Sequence, residues 1–197
     1  EGTNGINGQL FDSSSNTIGG DISIINSSSY NLDYPFVTGI QDGKFVVSFT
    51  EGGNVYKRQY DAGGNAEENA TQLYSTSSDR QGKVRLSGLS DGTYLTVWDE
   101  SNNLGASLGL FGQRFKSDGS SSSSVFKINS FDTTVNSNLV PNQLWPSVTK
   151  TQNGGFAVTW LALAAESLSK TISTKVAINI IDSSSSSSSG PTLDSPS

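Results

Sequence analysis

The 197-residue sequence contains no histidine, no cysteine and no methionine. These absences exclude imidazole acid/base catalysis, thiol chemistry and disulfides. They also exclude zinc, copper and haem sites built from the usual nitrogen and sulfur ligands. Lack of cysteine leaves the compartment open, because disulfide-free secreted repeat proteins are common. Charged residues make up only 15% of the chain, with a net charge of −6. That balance argues against nucleic acid and against an anionic membrane surface, both of which need a basic face. No apolar run approaches the roughly 18 residues of a membrane-spanning helix. The opening Glu1-Gly2-Thr3-Asn4-Gly5 does not read as a signal peptide, so a mature chain or an excised fragment is expected.

Hydrophobic residues account for only 33%, and the balance is filled by 21 glycines and 36 serines. Short strands joined by small polar turns, an all-β composition, fit that profile. One stretch occurs three times: Asp42-Gly43-Lys44-Phe45-Val46-Val47-Ser48-Phe49, Asp91-Gly92-Thr93-Tyr94-Leu95-Thr96-Val97-Trp98 and Asn153-Gly154-Gly155-Phe156-Ala157-Val158-Thr159-Trp160. Each opens with Asp-Gly or Asn-Gly, a tight-turn signal in which both residues tolerate positive φ. Each continues with five residues that begin and end in an aromatic. At period two, Phe45/Phe49, Tyr94/Trp98 and Phe156/Trp160 share a face with Val47, Thr96 and Val158, and these six aromatics are expected in the core. Val46, Leu95 and Ala157 on the other face mark interior strands covered on both sides.

Around these strands the chain repeats. Ile6–Asp12, Val55–Asp61 and Leu110–Lys116 are equivalent strands, each followed by a polar turn: Ser13–Gly20, Ala62–Asn65 and Ser117–Ser124. Return strands follow at Asp21–Asn26, Thr71–Tyr74 and Val125–Asn129. Tyr34–Ile40, Lys83–Leu89 and Trp145–Thr149 lead into the three organising strands, and Val176–Asp182 opens a fourth pass. Leu161–Leu168 fits either a helix or a strand extension. Four short antiparallel strands in about 50 residues is the size of one β-propeller blade. The expected architecture is therefore an array over 1–182 of about three to three and a half propeller-like blades. Its divisions are a half-blade (1–33), two blades (34–82 and 83–144) and a partial blade (145–182), followed by a Ser-rich linker or tail (183–197). Because closed propellers take at least about four blades, the array is expected to be open or completed by another copy.

At these residues the sequence resembles the tandem repeats of large bacterial and protist surface proteins. Their consensus is close to Pro-Ser-Val-x-x-Leu-x-Asp-Gly-Gly-Phe-Val-Val-x-Trp, then Ile-x-Gly-Gln-x-Phe-Asp, then Phe-x-Val-Asn. Trp145-Pro146-Ser147-Val148, Asn153–Trp160, Gly112-Gln113-Arg114-Phe115, Phe126-Lys127-Ile128-Asn129 and Gly8-Gln9-Leu10-Phe11-Asp12 carry the likeness. The middle pass departs from it, with Lys57-Arg58-Gln59-Tyr60 for Gly-Gln-x-Phe and Lys83-Val84-Arg85 for Pro-Ser-Val. The resemblance implies an extracellular propeller-like or solenoid repeat in adhesins and coats, with no catalytic residues.

Asn26-Ser27-Ser28 and Asn69-Ala70-Thr71 fit the N-glycosylation acceptor pattern, which a Ser-rich chain also produces by chance. Ser121 and Ser122, in the run 120–124, and Ser185 and Ser186, in the run 183–189, are O-glycan candidates; a flexible linker explains the runs equally well. Asp12 and Asp61 sit in equivalent turns where calcium is conceivable, but few carboxylates accompany them and an Asx turn explains them better. No other metal or cofactor is expected. Gln9, Arg58 and Gln113 are candidates for a sugar-binding platform. Trp145 is assigned neither to the core nor to the surface.

No pair of carboxylates converges in the sequence as a glycosidase requires, and the chain reads as non-enzymatic. The expected function is a structural module of an extracellular glycoprotein, self-associating into a filament, coat or adhesin by strand completion between copies. A lectin-like propeller that binds glycans is the alternative.

Overall fold

A computed structural model of the chain describes residues 4–74, 82–101, 107–129, 142–165 and 172–181. The fold is all-β, with the described residues arranged in four antiparallel sheets. β1 (Asn4–Phe11) and β2 (Thr17–Ser27) form the first sheet. The second is a four-stranded meander of β3 (Leu32–Gly39), β4 (Phe45–Glu51), β5 (Asn54–Tyr60) and β6 (Thr71–Tyr74). The third is the same meander in β7 (Val84–Gly88), β8 (Tyr94–Ser101), β9 (Ser107–Phe115) and β10 (Phe126–Lys127). The fourth holds β11 (Asn142–Lys150), β12 (Phe156–Ala165) and β13 (Ile172–Ile181).

Turn chemistry sets this order. Five of the hairpins close identically, as between Leu89 and Thr93: the Leu89 N–H donates to Thr93 O, and the Gly92 N–H to Leu89 O. The same pair of bonds recurs at Asp12, Asp61, Lys116 and Thr151. The third loop residue takes a left-handed φ of 66–85° (Ser15, Gly64, Gly92, Gly119 and Gly154), the three-residue hairpin loop in which glycine is favoured. Of the Asp-Gly and Asn-Gly signals, only Asp42-Gly43 has both residues at positive φ (60° and 72°). Elsewhere the glycine alone carries it, because the three-residue loop needs one left-handed residue and not two. The first turn is also shorter than Ser13–Gly20: β2 starts at Thr17, and Gly19 and Gly20 are absorbed into the strand where the β1–β2 register slips. Leu161–Ala165 continues β12 as strand, pairing with β13 residue by residue.

Both faces of the inner sheets are apolar, so each must be covered, and the sheets stack face to face in chain order. Ile6 and Ile24 meet Val47, Phe49 and Tyr60 between the first and second sheets. Between the second and third, Val46 meets Leu86, Tyr94 and Phe115, and Val55 meets Val84 and Trp98. Leu95, Val97, Leu110 and Ile128 meet Phe156, Val158 and Trp160 between the third and fourth. In each organising strand the aromatic face therefore packs on the preceding sheet, and in β4 and β8 the aliphatic face supports the following one. Each fully buried side chain of this kind contributes about 1.5–3 kcal/mol relative to exposure. Phe49, Tyr94, Trp98, Phe156 and Trp160 are buried as expected. Phe45 is only half-buried, because the sheet opposite it has two strands instead of four.

Candidate functional site

Tyr34, Lys83 and Trp145 occupy the same column of the three repeats, Tyr34 and Trp145 within the first strand of their sheets and Lys83 immediately before that of the third. Tyr34 and Trp145 each precede a proline. Proline has no N–H to give to the ladder and pushes the preceding residue out of the right-handed helical region. At both places the ladder slips. Asp33 pairs with Thr50 and Phe36 with Ser48, so Tyr34-Pro35 lies opposite the single residue Phe49. Leu144 pairs with Leu161 and Ser147 with Thr159, so Trp145-Pro146 lies opposite Trp160. Tyr34 (φ 53°) and Trp145 (φ 58°) are thereby held left-handed, a conformation that costs a bulky residue about 1–2 kcal/mol. The bulges turn both rings toward Lys83. Its ammonium nitrogen lies 5.3 Å from the Tyr34 ring centroid and 4.4 Å from that of Trp145.

Asp99 of β8 anchors this arrangement from beneath. Its Oδ1 accepts the Lys83 backbone N–H at 2.5 Å, and its Oδ2 accepts the Trp145 N–H at 3.1 Å. One carboxylate thus ties the third sheet to the bulge of the fourth. Burial pushes the Asp99 carboxyl above the usual range, opposed by those two N–H groups and by the Lys83 charge. A Cβ on the neighbouring Gly82 would collide with Asp99 O, so the chain needs a glycine there to approach β8. Two residues along β7, the Arg85 guanidinium lies 5.2 Å from the Phe36 ring centroid, with Nη1 donating to Val84 O at 2.8 Å. Trp145 itself is 56% exposed. Two ring-flanked cations and an exposed indole thus stand side by side at the edge of the third sheet.

The residues anticipated for a sugar platform are committed elsewhere. Gln9 Nε2 donates to Leu10 O and Ile18 O within its own hairpin, and Gln113 Nε2 to Ser123 O. Arg58 bridges the first two sheets, donating to Ile24 O at 2.8 Å and Glu68 O at 3.0 Å. They lie at equivalent strand positions, but Gln9 and Gln113 fasten their own repeats and Arg58 ties its repeat to the one before. Asp12 and Asp61 make the turn-stabilising bonds expected of them. Oδ1 of each accepts two backbone N–H groups (Ser14 and Asn16; Gly63 and Asn65), and Oδ2 accepts the side-chain amide of Asn16 or Asn65. Those bonds hold both carboxyls below the usual range. The sequon residues Asn26 and Asn69 are exposed, as are Ser121 and Ser122. Ser185 and Ser186 lie outside the described residues.

Sequence reasoning missed Lys83, Tyr34, Arg85 and Asp99 as a group. A signal was present: Lys83 stands in the column otherwise held by an aromatic followed by proline.

No family model matches the sequence, and no curated protein matches it. Among solved structures, the chain is similar to the GH43 BlXynB protein from Bacillus licheniformis, at 16% sequence identity and a TM-score of 0.43. The match covers 81% of this chain and 30% of that one.

Proposed function

We propose that the chain is a non-enzymatic structural module of an extracellular glycoprotein. Its sheets act as propeller-like blades, two of four strands and two partial, completed by strands of another copy into a filament, coat or adhesin. One observation carries this reading. β5 and β9 each have an inner neighbour, β4 or β8, whereas the equivalent edge of β1 is unpaired among the described residues. Beside that edge runs a groove of about 380 Å³ lined by Ile6, Leu10, Pro35, Val37, Phe45 and Val47.

The groove continues the interface between the first and second sheets, at the place that an inner strand pair fills between the second and third. Its proposed occupant is a hairpin from a second copy, set against β1 as β3–β4 is set against β5 and released from its own sheet, where β4, β8 and β12 are each paired on both sides. That hairpin would supply ladder bonds to β1 and cover Val37, which is 60% exposed. Exposed acceptor asparagines at Asn26 and Asn69 support the extracellular setting.

Sedimentation and electron microscopy across a concentration series test the assembly. Ordered oligomers or fibres should form, and Val37→Lys should abolish them without lowering the unfolding midpoint. A chain that stays monomeric throughout, with Val37→Lys behaving identically, overturns the proposal. An intact mass above the bare 20.7 kDa for material from the native source tests the glycan.

A further inference from the structure

We propose that Lys83, Arg85 and Trp145 form a binding site for an acidic polysaccharide, with uronate carboxylates on the two cations and a pyranose face against the indole. This site is separate from the β1 edge and does not depend on self-assembly.

The first ground is the state of Lys83. The two ion pairs formed among the described residues are Lys44–Glu67 and Lys57–Glu68, so no described carboxylate lies within ion-pair distance of the Lys83 ammonium. Its described neighbours are the Tyr34 and Trp145 rings and, through charge alone, the buried Asp99 carboxyl. Rings satisfy a cation electrostatically on their faces but accept no conventional hydrogen bonds, and an ammonium carries three donors. Those donors remain for an anion or for water. The Asp99 oxygens nearby already hold the two backbone N–H groups that fix Lys83 and Trp145.

The second ground is the strand period. Lys83, immediately before β7, and Arg85, its second residue, are two residues apart along extended chain and so share a face, with about 7 Å between their Cα atoms. Each is steadied by a ring from β3: Tyr34 for Lys83 and Phe36 for Arg85. Arg85 spends one donor on Val84 O, and its planar fork keeps others for a carboxylate. Two half-buried cations in a row at the edge of the third sheet suit a chain ligand with recurring single charges. A small molecule would favour an enclosed, mostly apolar pocket.

The third ground is Trp145. The residue is 56% exposed although its backbone is held left-handed and tied to Asp99. Backbone held in this way by surrounding structure is a mark of functional sites. An exposed, immobilised indole offers a flat face for the C–H groups of a sugar ring at little entropic cost. A net charge of −6 on the whole chain disfavours densely charged polyanions such as nucleic acid, while leaving a locally basic row able to take spaced carboxylates.

Calorimetry and tryptophan fluorescence with an oligogalacturonate probe test the site. Trp98 and Trp160 are buried, so shielding of Trp145 from acrylamide reports occupancy. The folded wild-type chain should bind saturably, with affinity falling as salt rises, and should ignore a neutral xylo-oligosaccharide at the same concentration. Lys83→Gln should weaken binding at least tenfold, Lys83→Arg should retain it within about threefold, and Trp145→Ala should abolish the shielding. Absence of saturable wild-type binding overturns the proposal. So does equal binding of the neutral sugar, or competition by simple acetate at the same carboxylate concentration. Should Lys83→Gln fail to fold, the Lys83→Arg and salt measurements on folded protein decide the matter.

Discussion

The Lys57 ammonium is 2.6 Å from Glu68 Oε1, and Lys57 is only 1% exposed while Glu68 is 25% exposed. The pair lies between the second and third sheets, with the ammonium 5.0 Å from the Phe115 ring centroid. A buried pair of this kind roughly offsets its own desolvation, but losing one partner leaves a charge without compensation. Glu68→Ala is expected to destabilise by about 2–3 kcal/mol, with little sensitivity to salt. The double variant Lys57→Met/Glu68→Gln should lie much closer to wild type. Urea unfolding at low and high salt measures both.

Tyr94 stacks on Phe115 with centroids 5.1 Å apart, and its hydroxyl is buried with no hydrogen-bond partner among the described residues. Burial pushes that hydroxyl far above the usual phenol range, and the Glu68 and Asp118 charges push it further. Tyr94→Phe keeps the ring and removes the unsatisfied group. It should raise stability by about 1 kcal/mol, visible as a higher urea midpoint at unchanged slope.

Carboxylates of two kinds give opposite pH dependences. Asp12, Asp61, Asp91 and Asp118 are lowered, first by side-chain hydrogen bonds in their turns. Their contribution is present above the unfolded carboxyl value of 3.8 and lost as pH falls through the lower folded values. Asp99 is raised by burial, so its contribution is fully present below 3.8 and is lost as pH rises through the folded value. Carboxyl-carbon NMR should show Asp99 titrating above 3.8 and Asp12 below it. Titration of Asp99 together with the turn aspartates would show that it is not buried.

Two turn glycines separate backbone strain from crowding. Gly154 has φ 81° and no described atom within 4 Å of an added Cβ, so Gly154→Ala carries the conformational cost alone, about 1–2 kcal/mol. Gly92 has φ 85°, and its Cβ would meet Ser117 Cβ at 2.5 Å. Gly92→Ala should therefore cost distinctly more. Equal losses in thermal or urea unfolding would show that the loop from the neighbouring hairpin moves aside.

The strand order, the glycine-bearing turns and the shared face of the organising aromatics were all legible in the sequence. They follow from local rules: alternation puts residues i and i+2 on one face, and few residues tolerate a left-handed φ. Phe49, Tyr94, Trp98, Phe156 and Trp160 are accordingly buried. Tertiary structure alone decided what those faces meet. It left Phe45 half-covered because the first sheet stops at two strands. It committed Gln9, Arg58 and Gln113 to hydrogen bonds within and between repeats. At Tyr34 and Trp145 the sequence announced a proline, but only the pairing with Phe49 and Trp160 turned it into a bulge. Lys83 came to lie between two rings from residues far apart in the chain, because the stacking of three sheets brings equivalent strand starts together. No local pattern encodes that proximity, since it is a property of how finished sheets pack and not of any one strand.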